Sequence, residues 1–140
     1  MKELLFAAAL LAVCVVIHAV ALARLMRWLE NRSSLGQSSF WLSTWMLVGV
    51  AWRLVVSHVL QVLCWGALYG AVGAFNDPTS SAYFSMVTYT TVGYGDLVPP
   101  ERWRMTAGVE GLTGILMCGL SAGLGERLRP WILSEPRLKL

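Results

Sequence analysis

The stretch Tyr83-Phe84-Ser85-Met86-Val87-Thr88-Tyr89-Thr90-Thr91-Val92-Gly93-Tyr94-Gly95-Asp96 runs from a helix-forming segment into two glycines at alternate positions. Just upstream, Asp77-Pro78 reads as a helix start. An Asp at the N-cap accepts from the first free N–H groups, and a Pro at the first helical position loses no hydrogen bond. Residues 80–90 then form a short helix whose negative C-terminal end faces whatever follows Thr90, a favourable place for a cation. Glycine accepts positive φ freely, so Gly93 and Gly95 let the extended chain between them aim successive carbonyls to the same side.

Outward from this stretch the chain is apolar. Residues 54–74 carry no formal charge, residues 105–124 carry one, Glu110, and residues 4–23 hold His18 as their only strongly polar side chain. Each run reaches the roughly 20 residues that a helix needs to cross a hydrocarbon core about 30 Å thick. Residues 76–104 are too mixed to cross. Irregular backbone flanked by two spans is tolerated at membrane depth only where protein buries it or where it lines a watery path.

The composition excludes the other classes. Hydrophobic residues are 56% of the 140 and charged ones 14%, against about 25% charged in soluble domains; mean hydropathy is +0.60. Too little polar side chain remains to coat a water-facing surface, and disordered chains are poor in apolar residues. Cys14, Cys64 and Cys118 lack the pair spacing of a disulfide framework or a zinc site. A net charge of +3, dispersed along the chain, gives no footprint for nucleic acid. No nucleophile–base pair, metal cluster or phosphate loop points to an enzyme, and neither a cofactor nor a small-molecule substrate is expected. The reading is an all-α integral membrane protein.

Residues 40–52 are apolar but too short to span alone, and precede Arg53 without a turn signal. They read as an interfacial lead-in or an extension of the second helix, with a fourth span as the alternative. Trp28, Trp41, Trp45, Trp52 and Trp131 suit membrane interfaces. With the N-terminus outside, Arg24, Arg27, Arg32, Arg53, Arg127, Arg129, Arg137 and Lys139 lie on the cytoplasmic side and only Lys2, Arg102 and Arg104 opposite. That is the orientation the positive-inside rule favours. The first run resembles a secretory signal, ending Ala21-Leu22-Ala23, but exceeds the usual apolar core, so an uncleaved helix is expected.

Residues 83–96, between two spans, resemble the potassium-channel pore family. Thr91-Val92-Gly93-Tyr94-Gly95 matches its filter signature residue for residue, in which carbonyl oxygens replace the hydration shell of the ion. The resemblance implies a two-transmembrane, one-pore channel with an extra N-terminal helix. The expected plan is an N-terminal membrane helix over residues 1–30, a cytoplasmic loop and lead-in over 31–53, a pore domain over 54–124 and a short cytoplasmic tail over 125–140. Within the pore domain come an outer helix at 54–75, a pore helix at 78–90, the filter at 91–96 and an inner helix at 105–124. The carbonyls of Thr91, Val92, Gly93 and Tyr94 are then the K+ ligands, with the Thr91 hydroxyl closing the cytoplasmic end and Gly95 shaping the mouth. One loop presents one face to an ion that needs ligands all round, so the resemblance implies a homotetramer in the plasma membrane, conducting K+ passively. The alternatives are a weakly selective cation channel and a non-conducting subunit of a larger channel.

Some channels of this family carry a pore-helix glutamate that pairs with the filter aspartate. Here Val87 stands at that position, and Asp96 is expected to accept instead from Tyr83, where tryptophan is frequent. Glu110 is an intramembrane acid, a functional candidate by default. It is expected to pack behind the pore helix against Thr88 or Tyr89, with an external pH sensor as the sharper reading. Gly114 is the nearest match to the family's gating hinge, among Gly111, Gly119 and Gly123. His18, His58 and Gln61 read as packing or interhelical hydrogen-bonding groups rather than ligands. With no arginine array and a tail too short for a sensing domain, gating is expected to act through the membrane, the filter or another subunit.

Overall fold

The computed structural model describes residues 2–33 and 40–132. Four helices account for most of it: α1 (Lys2–Ser33), α2 (Phe40–Ala71), α3 (Pro78–Tyr89) and α4 (Arg104–Ile132), the last entered through a single 3₁₀ turn at Glu101–Trp103. Three stretches are long and apolar enough to cross a membrane: Lys2–Asn31, Thr44–Ala71 and Glu101–Leu124. No strand occurs among the described residues.

α2 is one unbroken helix of 32 residues, about 48 Å long at 1.5 Å per residue. Residues 40–52 therefore extend the second span; they form neither a separate lead-in nor a fourth crossing, because nothing between Phe40 and Arg53 breaks the backbone ladder. Trp41, Trp45 and Trp52 recur at helical spacing and are each 69% exposed, an aromatic stripe suited to an interface. α1 likewise continues to Ser33, so residues 31–33 and 40–53 of the expected loop and lead-in are helical, and its residues 34–39 lie outside the described residues.

α2 stops at Ala71, short of the expected 75. Gly73 takes φ +63°, the Ala74 N–H reaches back to the Tyr69 carbonyl at 2.9 Å and the Gly73 N–H to that of Gly70 at 3.2 Å. This left-handed glycine cap satisfies the last free carbonyls. α3 begins as its sequence dictates. The Ser80 N–H and Ser80 hydroxyl both donate to the Asp77 carboxylate at 2.7 Å, with Pro78 in the first turn. These bonds, the hydroxyl first, hold the Asp77 carboxyl below its ordinary value.

Ser81, Phe84, Ser85 and Tyr89 form the buried face of α3. Two glycines let the flanking helices close on it. A Cβ on Gly66 of α2 would lie 3.1 Å from the Ala82 Cα, and one on Gly114 of α4 would overlap the Tyr89 carbonyl oxygen. Ala7, Cys14, Val62, Trp65, Tyr69, Phe84 and Trp103 build one apolar core around this junction. Leu25, Val50 and Leu124 build a second at the far ends of α1 and α4. Helical backbone carries α4 past the expected end at 124 to Ile132, a continuation that good helix formers such as Leu128 and Arg129 favour; residues 133–140 lie outside the described residues.

Candidate functional site

Beyond the C-terminus of α3 the backbone leaves the helix in a short ladder of its own. The Thr91 N–H bonds to the Thr88 carbonyl at 3.0 Å, and the Val87 carbonyl accepts from both Val92 (3.0 Å) and Gly93 (3.2 Å). Val87, whose side chain has no polar group to offer, thus supports the stretch beyond α3 with its backbone oxygen. Thr90 closes the helix end, its hydroxyl donating to the Met86 carbonyl at 2.7 Å.

Three alternate residues then take positive φ: Thr91 at 60°, Gly93 at 54° and Gly95 at 76°. Glycine does this at little cost, whereas a β-branched residue is a genuine outlier there. Sequence reasoning singled out the two glycines and missed Thr91, since nothing in a threonine signals a left-handed backbone; the paired bonds of Val87 and Thr88 on either side hold it there. Residues 91–96 are all exposed, Val92 at 52% and Tyr94 at 72%.

Asp96 folds back over this ladder. The Tyr83 hydroxyl donates to its Oδ2 at 2.7 Å. That hydroxyl holds the Asp96 carboxyl below its ordinary range, and the carboxylate raises the phenol of Tyr83 in turn.

Glu110 is fully buried behind α3. The expectation that it meets Thr88 or Tyr89 is corrected: its carboxylate accepts from the Ser85 hydroxyl at 2.6 Å and the Tyr69 hydroxyl at 2.8 Å. Residue 110 of α4 lies one turn higher along α3 than expected, and the end of α3 is taken up by Gly111 and Gly114, which face the Thr88 and Tyr89 carbonyls. The Tyr89 hydroxyl turns instead to α2, donating to Gln61 Oε1 at 3.0 Å and lying 3.0 Å from His58 Nδ1. Gly114 sits within α4 and, at this contact, is a seat for the foot of α3.

His18, Ser57, His58, Gln61 and Ser121 complete a polar cluster there. His18 Nδ1 lies 3.2 Å from Gln61 Nε2 and 3.4 Å from the Ser57 hydroxyl, while the Ser121 hydroxyl lies 3.2 Å from His18 Nε2 and 3.1 Å from His58 Nε2. The sequence marked His18, His58 and Gln61 as packing or interhelical groups and Tyr89 only as a partner for Glu110; Ser121 gave no signal, being an ordinary residue at a separation that only the fold closes.

A family model described as an ion channel matches residues 57–128, just over half of the chain. The matched segment starts within α2 and takes in α3, the ladder after it and most of α4, leaving α1 outside. No curated protein and no solved structure matches the chain.

Proposed function

The chain belongs to the two-transmembrane, pore-loop family of ion channels, and from that premise we propose that it is a potassium-selective channel working as a homotetramer. The observation that carries this reading is the run of positive φ at Thr91, Gly93 and Gly95, directly beyond the negative end of α3. A chain that alternates in this way can present the carbonyls of Thr91, Val92, Gly93 and Tyr94 along one line, and rings of such oxygens replace the hydration shell of a cation. Gly95 and Asp96 shape the mouth. K+ moves down its gradient between adjacent rings, with no covalent step.

Exposure supports the tetramer. Residues 91–96 are all exposed in the single chain, a state that irregular backbone cannot keep against lipid. Three further copies both cover it and supply the remaining ligands. The charge distribution supports an N-terminus outside and a C-terminus in the cytoplasm of a cell in whose plasma membrane the channel sits.

The test is purified full-length protein in liposomes under opposed potassium and sodium gradients. A reversal potential near the potassium equilibrium value, lost in Gly95→Ala, is expected. Reversal near zero in the unaltered protein would replace selectivity with a general cation pore, and absence of flux from confirmed tetramers would favour a silent subunit.

A further inference from the structure

Five side chains drawn from all four helices close a ring of hydrogen bonds at the foot of α3, and its direction can be worked out. Gln61 Oε1 only accepts, so the single hydrogen of the Tyr89 hydroxyl goes to it, at 3.0 Å. Tyr89 must then accept from His58 Nδ1, also at 3.0 Å, which places the His58 proton on Nδ1 and leaves Nε2 to accept from the Ser121 hydroxyl at 3.1 Å. With its own hydrogen so used, Ser121 accepts from His18 Nε2 at 3.2 Å. His18 Nδ1 is thereby free to accept from the Gln61 amide at 3.2 Å, where the ring closes. The second amide hydrogen of Gln61 reaches the Ser57 carbonyl at 3.2 Å. One tautomer of each neutral histidine satisfies every bond in a single sense of rotation, an assignment made from the network. Chains of this kind polarise one another and strengthen together in a low dielectric.

The position of the ring gives it a task. Tyr89 ends α3, two residues before the left-handed Thr91, and its carbonyl is seated against Gly114. Its side chain is therefore held from α2 and its backbone from α4. His18, fully buried, comes from α1, the helix outside the matched ion-channel segment.

We propose that His18 is a positioning residue for the filter: by closing the ring that fixes Tyr89, it makes α1 part of the conduction machinery. The proposal rests on the reading of residues 91–96 as the conducting path. Opening the ring at any member releases the foot of α3, and the carbonyl ladder above it loses its fixed spacing.

The experiment uses the full-length protein in liposomes. His18→Leu keeps an apolar, helix-forming residue in α1 but leaves Gln61 and Ser121 without their partner. The potassium-to-sodium permeability ratio is expected to fall by roughly threefold to tenfold, the range that interhelical hydrogen bonds in membranes carry. Ser121→Ala opens the same ring from α4 and should give the same fall, with the double variant no worse than either. His18→Gln can accept from Gln61 and donate to Ser121, and should restore the ratio. An unchanged ratio in His18→Leu and Ser121→Ala, or no rescue by Gln, overturns the proposal.

A readout independent of conduction separates this proposal from the selectivity reading. Amide hydrogen exchange at Thr91, Val92 and Gly93 should quicken in His18→Leu; unaltered exchange there overturns the positioning role even if the unaltered channel proves non-selective. Should His18→Leu fail to assemble, nitrogen-15 spectra of the unaltered protein decide. Protons on His58 Nδ1 and His18 Nε2 are expected, and the opposite tautomers overturn the ring.

Discussion

Glu110 and Ser85 meet at 2.6 Å in a fully buried site, and the second carboxylate oxygen of Glu110 takes the Tyr69 hydroxyl at 2.8 Å. One acid on α4 thereby ties α3 to α2. Its burial among hydroxyl donors accounts for an acid inside a span, since buried polar groups are costly unless hydrogen-bonded. Glu110→Leu leaves the buried Tyr69 hydroxyl without its acceptor, at about 1–3 kcal/mol, while the single hydrogen of Ser85 turns to the Val62 carbonyl. Glu110→Gln keeps an acceptor for Tyr69, and Ser85 retains the Val62 carbonyl at 2.7 Å. Thermal unfolding in detergent should show a clear loss for Leu and a small one for Gln. A Leu variant as stable as the parent would remove the cross-tie from the account.

Gly114 and Gly111 stand one turn apart on α4 and make opposite predictions. A Cβ at Gly114 overlaps the Tyr89 carbonyl oxygen, whereas one at Gly111 lies 3.6 Å from the Thr88 carbonyl, ordinary contact. Gly114→Ala forces α4 away from the foot of α3, an overpacking cost of about 1–3 kcal/mol. Gly111→Ala should be neutral or stabilising by up to about 1 kcal/mol, through helix propensity alone. The check is the unfolding temperature of each variant beside the potassium-to-sodium permeability ratio. Equal behaviour of the two would mean that Gly114 is no seat.

What could be read from the sequence was what local chemistry decides. Asp77 and Pro78 announce the start of α3 because capping needs only neighbouring residues, and Gly93 and Gly95 announce an unusual backbone because only glycine enters it freely. The Tyr83–Asp96 bond, thirteen residues apart, was expected through the family resemblance and not through local chemistry. The partners of Glu110 were not, since Tyr69 and Ser85 are set opposite it only by the packing of three helices. The left-handed Thr91 was hidden for the contrary reason: its residue type argues against the conformation, and the carbonyls of Val87 and Thr88 impose it. The sequence left open whether residues 40–52 extend α2, because no turn signal separates them from the apolar run yet a charge stands between, on Arg53. Its guanidinium is accommodated instead, donating to the Gly49 carbonyl at 2.9 Å and lying 4.1 Å from the Trp28 ring centroid.

Gly73 isolates a backbone effect. It adopts φ +63° with open space where a Cβ would stand, so substitution meets conformational cost without collision. Gly73→Ala should destabilise by about 1–2 kcal/mol, the penalty for an L-residue in the left-handed region. Gly73→Asn should cost less, because Asn is the other residue that serves at this cap. Thermal unfolding of the pair gives the ranking, and an Ala variant equal to the parent would argue that α2 ends for another reason.

The hydrogen bond between Tyr83 and Asp96 predicts resistance to acid at the end of the ladder. The Tyr83 hydroxyl lowers the carboxyl of Asp96, so the bond contributes fully above the ordinary carboxylate value of about 3.9. Its contribution fades only as pH falls through the depressed value. The phenol of Tyr83, raised by the same bond, keeps its proton up to its ordinary value of about 10 and loses it only above that. Potassium flux should therefore be flat as external pH goes from 7 to about 5, with the acid limb lying below the ordinary carboxylate range. In Tyr83→Phe the donor is gone, Asp96 returns toward its ordinary value, and the acid limb moves to higher pH. Comparison of the two flux profiles checks this, and an acid limb in the same place for both would show that Tyr83 does not govern the charge on Asp96.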